Sequence, residues 1–572
     1  MSDFTPLEDA ERGTPIYVSV GIFSMTDEGL VATVGKDKAV WISDAFEIVG
    51  RVRDPHGEGW GKLLRWKDPD NRTHIHMLPD AALHENPAAI AAVLAAGGLK
   101  VATKLGDRAQ LISYFNAVNV KKRVYVVDRT GWHEISDSKV FVLPNWTFGG
   151  VNSEEVIFNR VTASPYSTLG TLENWQLGVG LLVAGHHLAV FAVSVAFAAP
   201  LLGPIGMEGG GFNYHGLSSC GKTTLAQASS SVWGRGDSHG FVKTWRSTAN
   251  GLEGAAVSHS DLPLVLDELG VGDGRDVAAA VYQLSGSSGK MRASKDGSLR
   301  RTATWYIMII STGEVRISDK LLEGGKRVRA GQEVRLLDIP ADAGHGLGVF
   351  DKPVPDNDPK KLADTIKAAA KTHYGTAGPA FIEALITEGV DTITDIVRRS
   401  IAQFRTKVLS AEADGQVQRA ADRFALVGVA GELACQFGIV PWKEGAAKTA
   451  AETAFAAWLD NRGGTEPGEV RDAIAQVRGF IARFGESRFQ AVEAGDDRPI
   501  PDRLGWRRGN GSEREWLIPP ETWRTTFCEG YDPTMVARAL WERAMLRKAA
   551  DNKFSCVQST PAAMWLFVIR PT

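Results

Sequence analysis

The run Gly216-Leu-Ser-Ser-Cys-Gly-Lys-Thr-Thr224 constrains this chain more than any other stretch. It fits the spacing G-x-x-x-x-G-K-[ST] of a phosphate-binding loop. The glycines let the backbone curl so that successive N–H groups point inward at the α- and β-phosphates of a nucleotide. Gly216, Ser218, Ser219, Cys220, Gly221, Lys222, Thr223 and Thr224 are the expected nucleotide contacts. Lys222 is spaced to reach the β/γ oxygens, and the Thr223 hydroxyl to ligate Mg2+. The flanks predict a short strand over 210–215 and a helix running on from Leu225. That strand–loop–helix context separates a site for ATP from a chance glycine-rich turn, and it asks for an α/β sheet.

Downstream segments supply what such a loop needs. Leu262-Pro-Leu-Val-Leu-Asp267-Glu268 reads as an apolar strand ending in two acids, Asp267 for the Mg2+ water shell and Glu268 to polarise the attacking water. Asp296-Gly297 predicts a two-residue hairpin turn with Lys295 just before it, and Lys290, Arg292, Arg300 and Arg301 lie close by. A basic hairpin there suits a nucleic-acid backbone; a plain solvated hairpin is the alternative. Trp305-Tyr-Ile-Met-Ile-Ile310 predicts a buried strand that delivers Ser311 or Thr312 to the γ-phosphate. One of Arg327, Arg329 and Arg335, before and at a fifth strand, is the expected arginine finger acting across subunits. Gln416 to Val427 predicts an amphipathic lid helix, from which Arg419 would reach the nucleotide.

The rest of the chain is read from pattern. Residues 17–43, 60–79 and 124–144 carry short strand-like runs, with helical stretches near 80–97 and 107–119. His74 and His76 alternate on one predicted strand and, with no third ligand close by, read as ordinary histidines. Leu177 to Leu202 is apolar enough for a membrane span, but Gly185-His186-His187 interrupts it and Pro200 is expected to end it. A buried helical hairpin, and no membrane, is the expectation. After Asn461-Arg-Gly-Gly-Thr-Glu-Pro-Gly468, a helix, a β-pair, two helices and a final wing suggest a winged helix. Arg507, Arg508, Arg543, Arg547 and Lys548 would be its basic contacts.

A net charge of −3 over 572 residues gives no global attraction to nucleic acid, so binding has to come from local basic patches. The four cysteines are scattered without a C-x-x-C pair, which argues against zinc and a disulfide frame. No secretory pattern opens the sequence, and a cytoplasmic location is expected.

Gly209 to Thr224, Lys243 to Glu253, Leu264 to Leu269, Ser311-Thr-Gly-Glu314 and Ala330 to Pro340 together resemble the bacterial family catalogued as domain of unknown function 927. Gly131-Trp132-His133 and Gly431-Glu-Leu-Ala434 extend the resemblance over roughly residues 15–445. Its members are often carried on mobile elements, and some look like self-loading AAA+ helicases related to minichromosome-maintenance proteins. The resemblance implies a hexameric ring on DNA, Lys295 on a hairpin facing the pore, and an arginine finger acting across subunits; single-stranded or forked DNA is the expected partner, and a primase or replication-initiation protein is a candidate further partner. The expected fold class is α/β and multidomain: a β-rich N-terminal accessory or DNA-binding domain over 1–168, an AAA+ ATPase core over 169–345, a helical lid over 346–466 and a winged-helix-like domain over 467–572. The expected activity is ATP-dependent DNA translocation in replication of a mobile element or phage. An ATPase switch assembling on a protein partner is the principal alternative, and a small-molecule phosphotransferase a third.

Overall fold

The computed structural model describes residues 17–35, 38–85, 87–150, 154–159, 165–247, 249–289, 302–323, 334–352, 358–410, 413–492, 500–549, 553–558 and 564–570. The chain is a mixed α/β, multidomain protein with a β-rich N-terminal region and a largely helical later part. It divides into two compact units, one of residues 1–409 and 419–462, the other of 410–418 and 463–572.

The larger unit begins with a three-stranded antiparallel sheet, β1 (Phe23–Thr26), β2 (Gly29–Val34) and β3 (Lys38–Ser43). Next come β4 (Glu47–Arg53), β5 (Gly61–Lys67), β6 (Thr73–Pro79), the helices Pro87–Ala96 and Leu105–Ala117, and β7 (Arg123–Val127). β8 (Gly131–Ile135), β9 (Ser138–Val142), β10 (Thr147–Phe148) and β11 (Glu155–Phe158) complete the region. A five-stranded sheet has the order β11-β7-β4-β5-β6. On β6, His74 stacks on Trp66 at 5.6 Å, and its Nε2 lies 3.0 Å from Asp68 Oδ2, so that ring has a packing role.

The N-terminal region is hooked onto the remainder of this unit. The Thr130 N–H donates to Val257 O (3.2 Å), and the Trp132 indole donates to Pro200 O (2.8 Å). Asp261 accepts from the Trp132 N–H at 3.0 Å and pairs with Arg129 at 3.1 Å. Gly131 sits at φ 89°, where a Cβ would lie 2.2 Å from Asp261 Oδ2, so no other residue fits this contact. Burial pushes the Asp261 carboxyl up to about 6 despite the Arg129 charge.

The apolar segment is a core helix. Leu188 to Ala198 of the helix His187–Ala198 are all buried. Among the described residues His187–Ile205 is the one helix long and apolar enough to cross a membrane, yet 83% of it is packed inside the protein. A helix apolar on every side belongs in the middle of a core. Here Ser229 Oγ and the Trp233 indole donate to its Ala192 and Ala196 carbonyls. Gly185 (φ 82°) breaks the segment as expected, but Pro200 does not end it. Pro200 occupies the first turn of a 3-10 stretch, where a missing N–H costs nothing, and helix continues to Ile205.

β12 (Gly210–His215), β13 (Val242–Thr244), β14 (Leu262–Asp267), β15 (Ile307–Gly313) and β16 (Leu336–Pro340) form an all-parallel sheet of order β13-β14-β15-β12-β16. The central strands are continuous apolar runs, as a sheet covered on both faces requires. Helices Pro359–Thr372, Ala377–Glu388, Val390–Val408 and Ala446–Arg462, with Gly415–Gln436 from Arg419 on, complete this unit.

The smaller unit packs the helices Gly468–Phe484 and Pro533–Glu542 around Phe489, Ile518, Trp523, Phe527 and Leu540. Its six-stranded sheet runs β17 (Phe489–Ala491), β18 (Gly505–Arg508), β19 (Glu515–Ile518), then β22 (Met564–Ile569) and β20 (Leu546–Arg547), with β21 (Cys556–Gln558) also on β22. Several tail cations expected at nucleic acid are held internally. Arg507 pairs with Glu486, Arg508 with Glu515 and Arg543 with Glu466, while Lys548 lies over the Trp541 ring at 4.3 Å.

Candidate active site

The phosphate-loop segment leaves the carboxyl end of β12 and enters the helix Lys222–Ser230, so one parallel strand aims it at the sheet's carboxyl edge. Ser219 (φ 63°) and Gly221 (φ 104°) are both left-handed and make the curl. A Cβ on Gly221 would meet Val349 at 2.6 Å, whereas one on Gly216 would make ordinary contact at 3.5 Å. Leu217, Ser218, Ser219 and Thr223 are exposed, Cys220 and Lys222 half-buried, and Thr224 buried. Lys222 Nζ donates to Gly216 O (2.8 Å) and Leu217 O (2.5 Å), and Cys220 Sγ is 3.7 Å away. The ammonium thus rests on exposed-loop carbonyls, which an anion can replace. His215, just before the loop, is pushed down to about 4, by burial first and then by Arg316, so it is neutral at physiological pH.

The two acids arrive from β14. Asp267 Oδ2 lies 3.4 Å from Thr223 Oγ1, which brings together the hydroxyl and carboxylate that a Mg2+ shell needs. Glu268 is exposed and left-handed (φ 60°, ψ 63°), a strained backbone for a residue with a Cβ. Such strain costs about 1–2 kcal/mol.

Ser311 and Thr312 play different parts. Thr312 Oγ1 donates to Asp267 Oδ1 and lies 3.4 Å from the Glu268 N–H. Ser311 points to the opposite sheet face, as strand alternation dictates. There the Trp245 indole donates to Ser311 Oγ (3.0 Å), Ser311 Oγ donates to Asn213 Oδ1 (2.8 Å), and Asn213 Nδ2 donates to Asp338 Oδ1 (2.7 Å). Asp338 in turn accepts from the Ile317 N–H at 3.0 Å. This buried chain crosses β15, β12 and β16 at directly opposed positions and fixes the register that holds Thr312 beside Asp267.

Burial raises Asp338 to about 7, against the opposing hydrogen bonds from Asn213 and Ile317. A raised folded-state pKa gives a stabilising contribution present below the unfolded value of 3.8 and lost as pH rises through about 7. Asp338→Asn should therefore melt with a flatter pH dependence than wild type between about pH 4 and 7. Thermal melts of the two proteins across that window check it; parallel curves would exclude an ionisable Asp338.

The expected arginines are separated. Arg335 stands at the amino end of β16 with its guanidinium over the Tyr282 ring at 4.1 Å. The phosphate loop leaves the other end of neighbouring β12, about 16 Å along the strands. Arg335 is thus not brought to the loop of its own chain. Arg419 is exposed, and among the described residues no hydrogen bond joins it to the loop. The helix turns Arg423 inward instead. Its Nη1 donates to Val334 O (2.5 Å) and Nη2 to Gly209 O (3.2 Å), pinning the helix to the roots of β16 and β12. Arg327, Arg329, Lys290, Arg292, Lys295, Arg300 and Arg301 lie outside the described residues.

A second structural partner of the loop escaped the sequence pattern. Ala341 to Phe350, directly after β16, forms a strap with left-handed Gly344, Gly346 and Gly348. The Val349 N–H donates to Cys220 O (3.0 Å), and a Cβ on Gly348 would lie 2.3 Å from the same oxygen. Beyond the strap, Asp351 Oδ2 accepts from the His187 N–H at 2.6 Å and Oδ1 pairs with the His187 ring, while the Asp351 N–H donates to His186 Nδ1 (3.1 Å). The broken point of the buried helix therefore anchors the strap that abuts the phosphate loop.

Residues 23–305 match the family model for the domain of unknown function DUF927. The match takes in the phosphate loop and both acids and stops before β15, so it is shorter than the resemblance read from the sequence. No curated protein matches the chain. A solved structure described as "SCCmec type IV Cch - active helicase" is similar over 97% of this chain and 98% of that one, with a TM-score of 0.73 and 18% identity. At that identity the likeness speaks for a common fold along nearly the whole length.

Proposed function

We propose that this chain is an ATP-dependent DNA helicase or translocase of the AAA+ type, similar to minichromosome-maintenance-like enzymes and serving replication of a mobile genetic element or phage. The observation that carries the reading is the meeting of Thr223, Asp267 and Thr312 at the mouth of the Lys222 loop. The strand order, with the loop-bearing strand between the fourth and fifth strands of the sheet, supports it. The description of the similar structure as an active helicase supports a nucleic-acid strand as the substrate to be moved.

In this reading Lys222 and the backbone N–H groups of 216–224 bind the ATP phosphates. Thr223 and Asp267 would hold Mg2+, which neutralises charge on the β- and γ-oxygens when bound. Glu268 orients a water and takes its proton as the water oxygen bonds to the γ-phosphorus; the bond to the bridging oxygen breaks, and ADP leaves with that electron pair. Thr312 holds Asp267 in line. One of Arg327, Arg329 and Arg335 would reach the nucleotide of the next subunit in a ring, most simply a hexamer, and Arg419 would reach the nucleotide from the lid. Lys290, Arg292, Lys295 and Arg300 would contact the DNA, and the tail would act as a winged helix beside a primase or initiation partner.

The test is ATP hydrolysis with and without single-stranded DNA. Wild type should be stimulated, and Lys295→Ala should keep basal turnover while losing stimulation and unwinding. Hydrolysis indifferent to DNA would turn the reading toward an ATPase switch that assembles on a protein partner.

A further inference from the structure

The N-terminal sheet carries a feature that the nucleotide site does not use. Arg51 on β4 lies directly opposite Arg123 on β7 and opposite Lys62 on β5, so three cations stand in a row across adjacent strands. Directly opposed like charges destabilise a sheet unless something compensates them. Two carboxylates do so in part: Asp80 pairs with Lys62 (2.6 Å) and Arg51 (3.4 Å), and Glu154 with Arg53 (2.7 Å). Among the described residues, the ion pairs of these four cations involve two carboxylates, in a chain whose net charge is −3.

Over these cations lies Trp60, whose ring centroid is 4.9 Å from the Arg51 guanidinium, 5.5 Å from Arg123 and 5.6 Å from Arg53. Arg53 also covers the Tyr125 ring at 4.1 Å. The turn holds the indole in place, for Trp60 Nε1 donates to Gly57 O (2.9 Å) and Trp60 O accepts from the Asp80 N–H (2.9 Å). Yet Trp60 is 36% exposed. Moreover, Arg51 Nε and Arg53 Nη1 are buried donors with no acceptor among the described residues. A fixed, open aromatic ring above guanidinium groups short of acceptors matches a strand whose phosphates and bases alternate.

We propose that this face of the N-terminal sheet binds a single-stranded polynucleotide, with phosphates at Arg51, Arg53 and Arg123 and a base stacked on Trp60. The binding needs no nucleotide in the loop, so it stands or falls separately from the ATPase reading. Labelled oligo(dT) and oligo(U) are titrated by anisotropy onto the full chain without ATP, at several salt concentrations. Trp60→Ala should weaken binding about tenfold, the usual loss for one stacked base, with Trp60→Phe recovering most of it. Basal ATP hydrolysis should be unchanged in both. A bromouracil-substituted strand should crosslink to wild-type residues 57–60, which decides the matter even if Trp60→Ala proves unstable. Trp60-dependent binding of either oligo(dT) or oligo(U) supports the proposal. Wild-type affinity in a normally folded Trp60→Ala protein would overturn the proposal. So would crosslinks confined to other segments, or polyglutamate displacing the strand with no effect of Trp60→Ala.

Discussion

Lys222→Ala should lower ATP turnover at least about 10²–10³-fold, the loss seen when a preorganised charge partner of a transition state is removed. The melting temperature should barely change. Among the described residues Lys222 Nζ donates to two carbonyls of its own loop and a thiol, so alanine leaves no buried donor unsatisfied there. Phosphate release and a thermal melt on the same preparation make the comparison. Turnover within a fewfold of wild type would remove the loop from catalysis. A large loss of stability would mean that Lys222 is structural.

The second large effect is expected from Glu268→Gln. The swap keeps size and shape, and Glu268 is exposed, so folding and ATP affinity should survive. In the proposed mechanism the substitution removes the proton acceptor, a role whose loss costs about 10²–10⁴-fold. The variant should hold ATP without consuming it. Filter binding of labelled ATP beside a turnover assay reads both quantities. Equal loss of binding and turnover would point to damage at the left-handed turn, where Glu268 starts from a strained backbone. Wild-type turnover would pass the proton to another group.

Strand–loop–helix spacing around Lys222 and the apolar strand into Asp267 were legible because local pattern and tertiary role coincide there. Each is a contiguous stretch whose residue types are dictated by one sheet. Ser311 and Thr312 could not be told apart by pattern, since both are small hydroxyls at one strand end. The choice depends on Asn213 and Trp245, which lie far away in sequence. Arg419 and Arg423 sit one turn apart on a single helix face, and only the packing onto Val334 and Gly209 shows which one turns inward. The strap over Cys220 was illegible because Gly344, Gly346 and Gly348 look like an ordinary loop. Pro200 misled because its cost depends on its position within the turn it occupies.

The hook at Gly131 bears on separability. Asp261, at the root of the strand that carries Asp267, takes its ion pair and a hydrogen bond from Arg129 and Trp132. Removing the N-terminal sheet from the parallel five-stranded sheet would strand a buried carboxylate at the foot of that strand. The foot of the strand that carries Asp267 is therefore held in place from the N-terminal region by an ion pair and a backbone hydrogen bond.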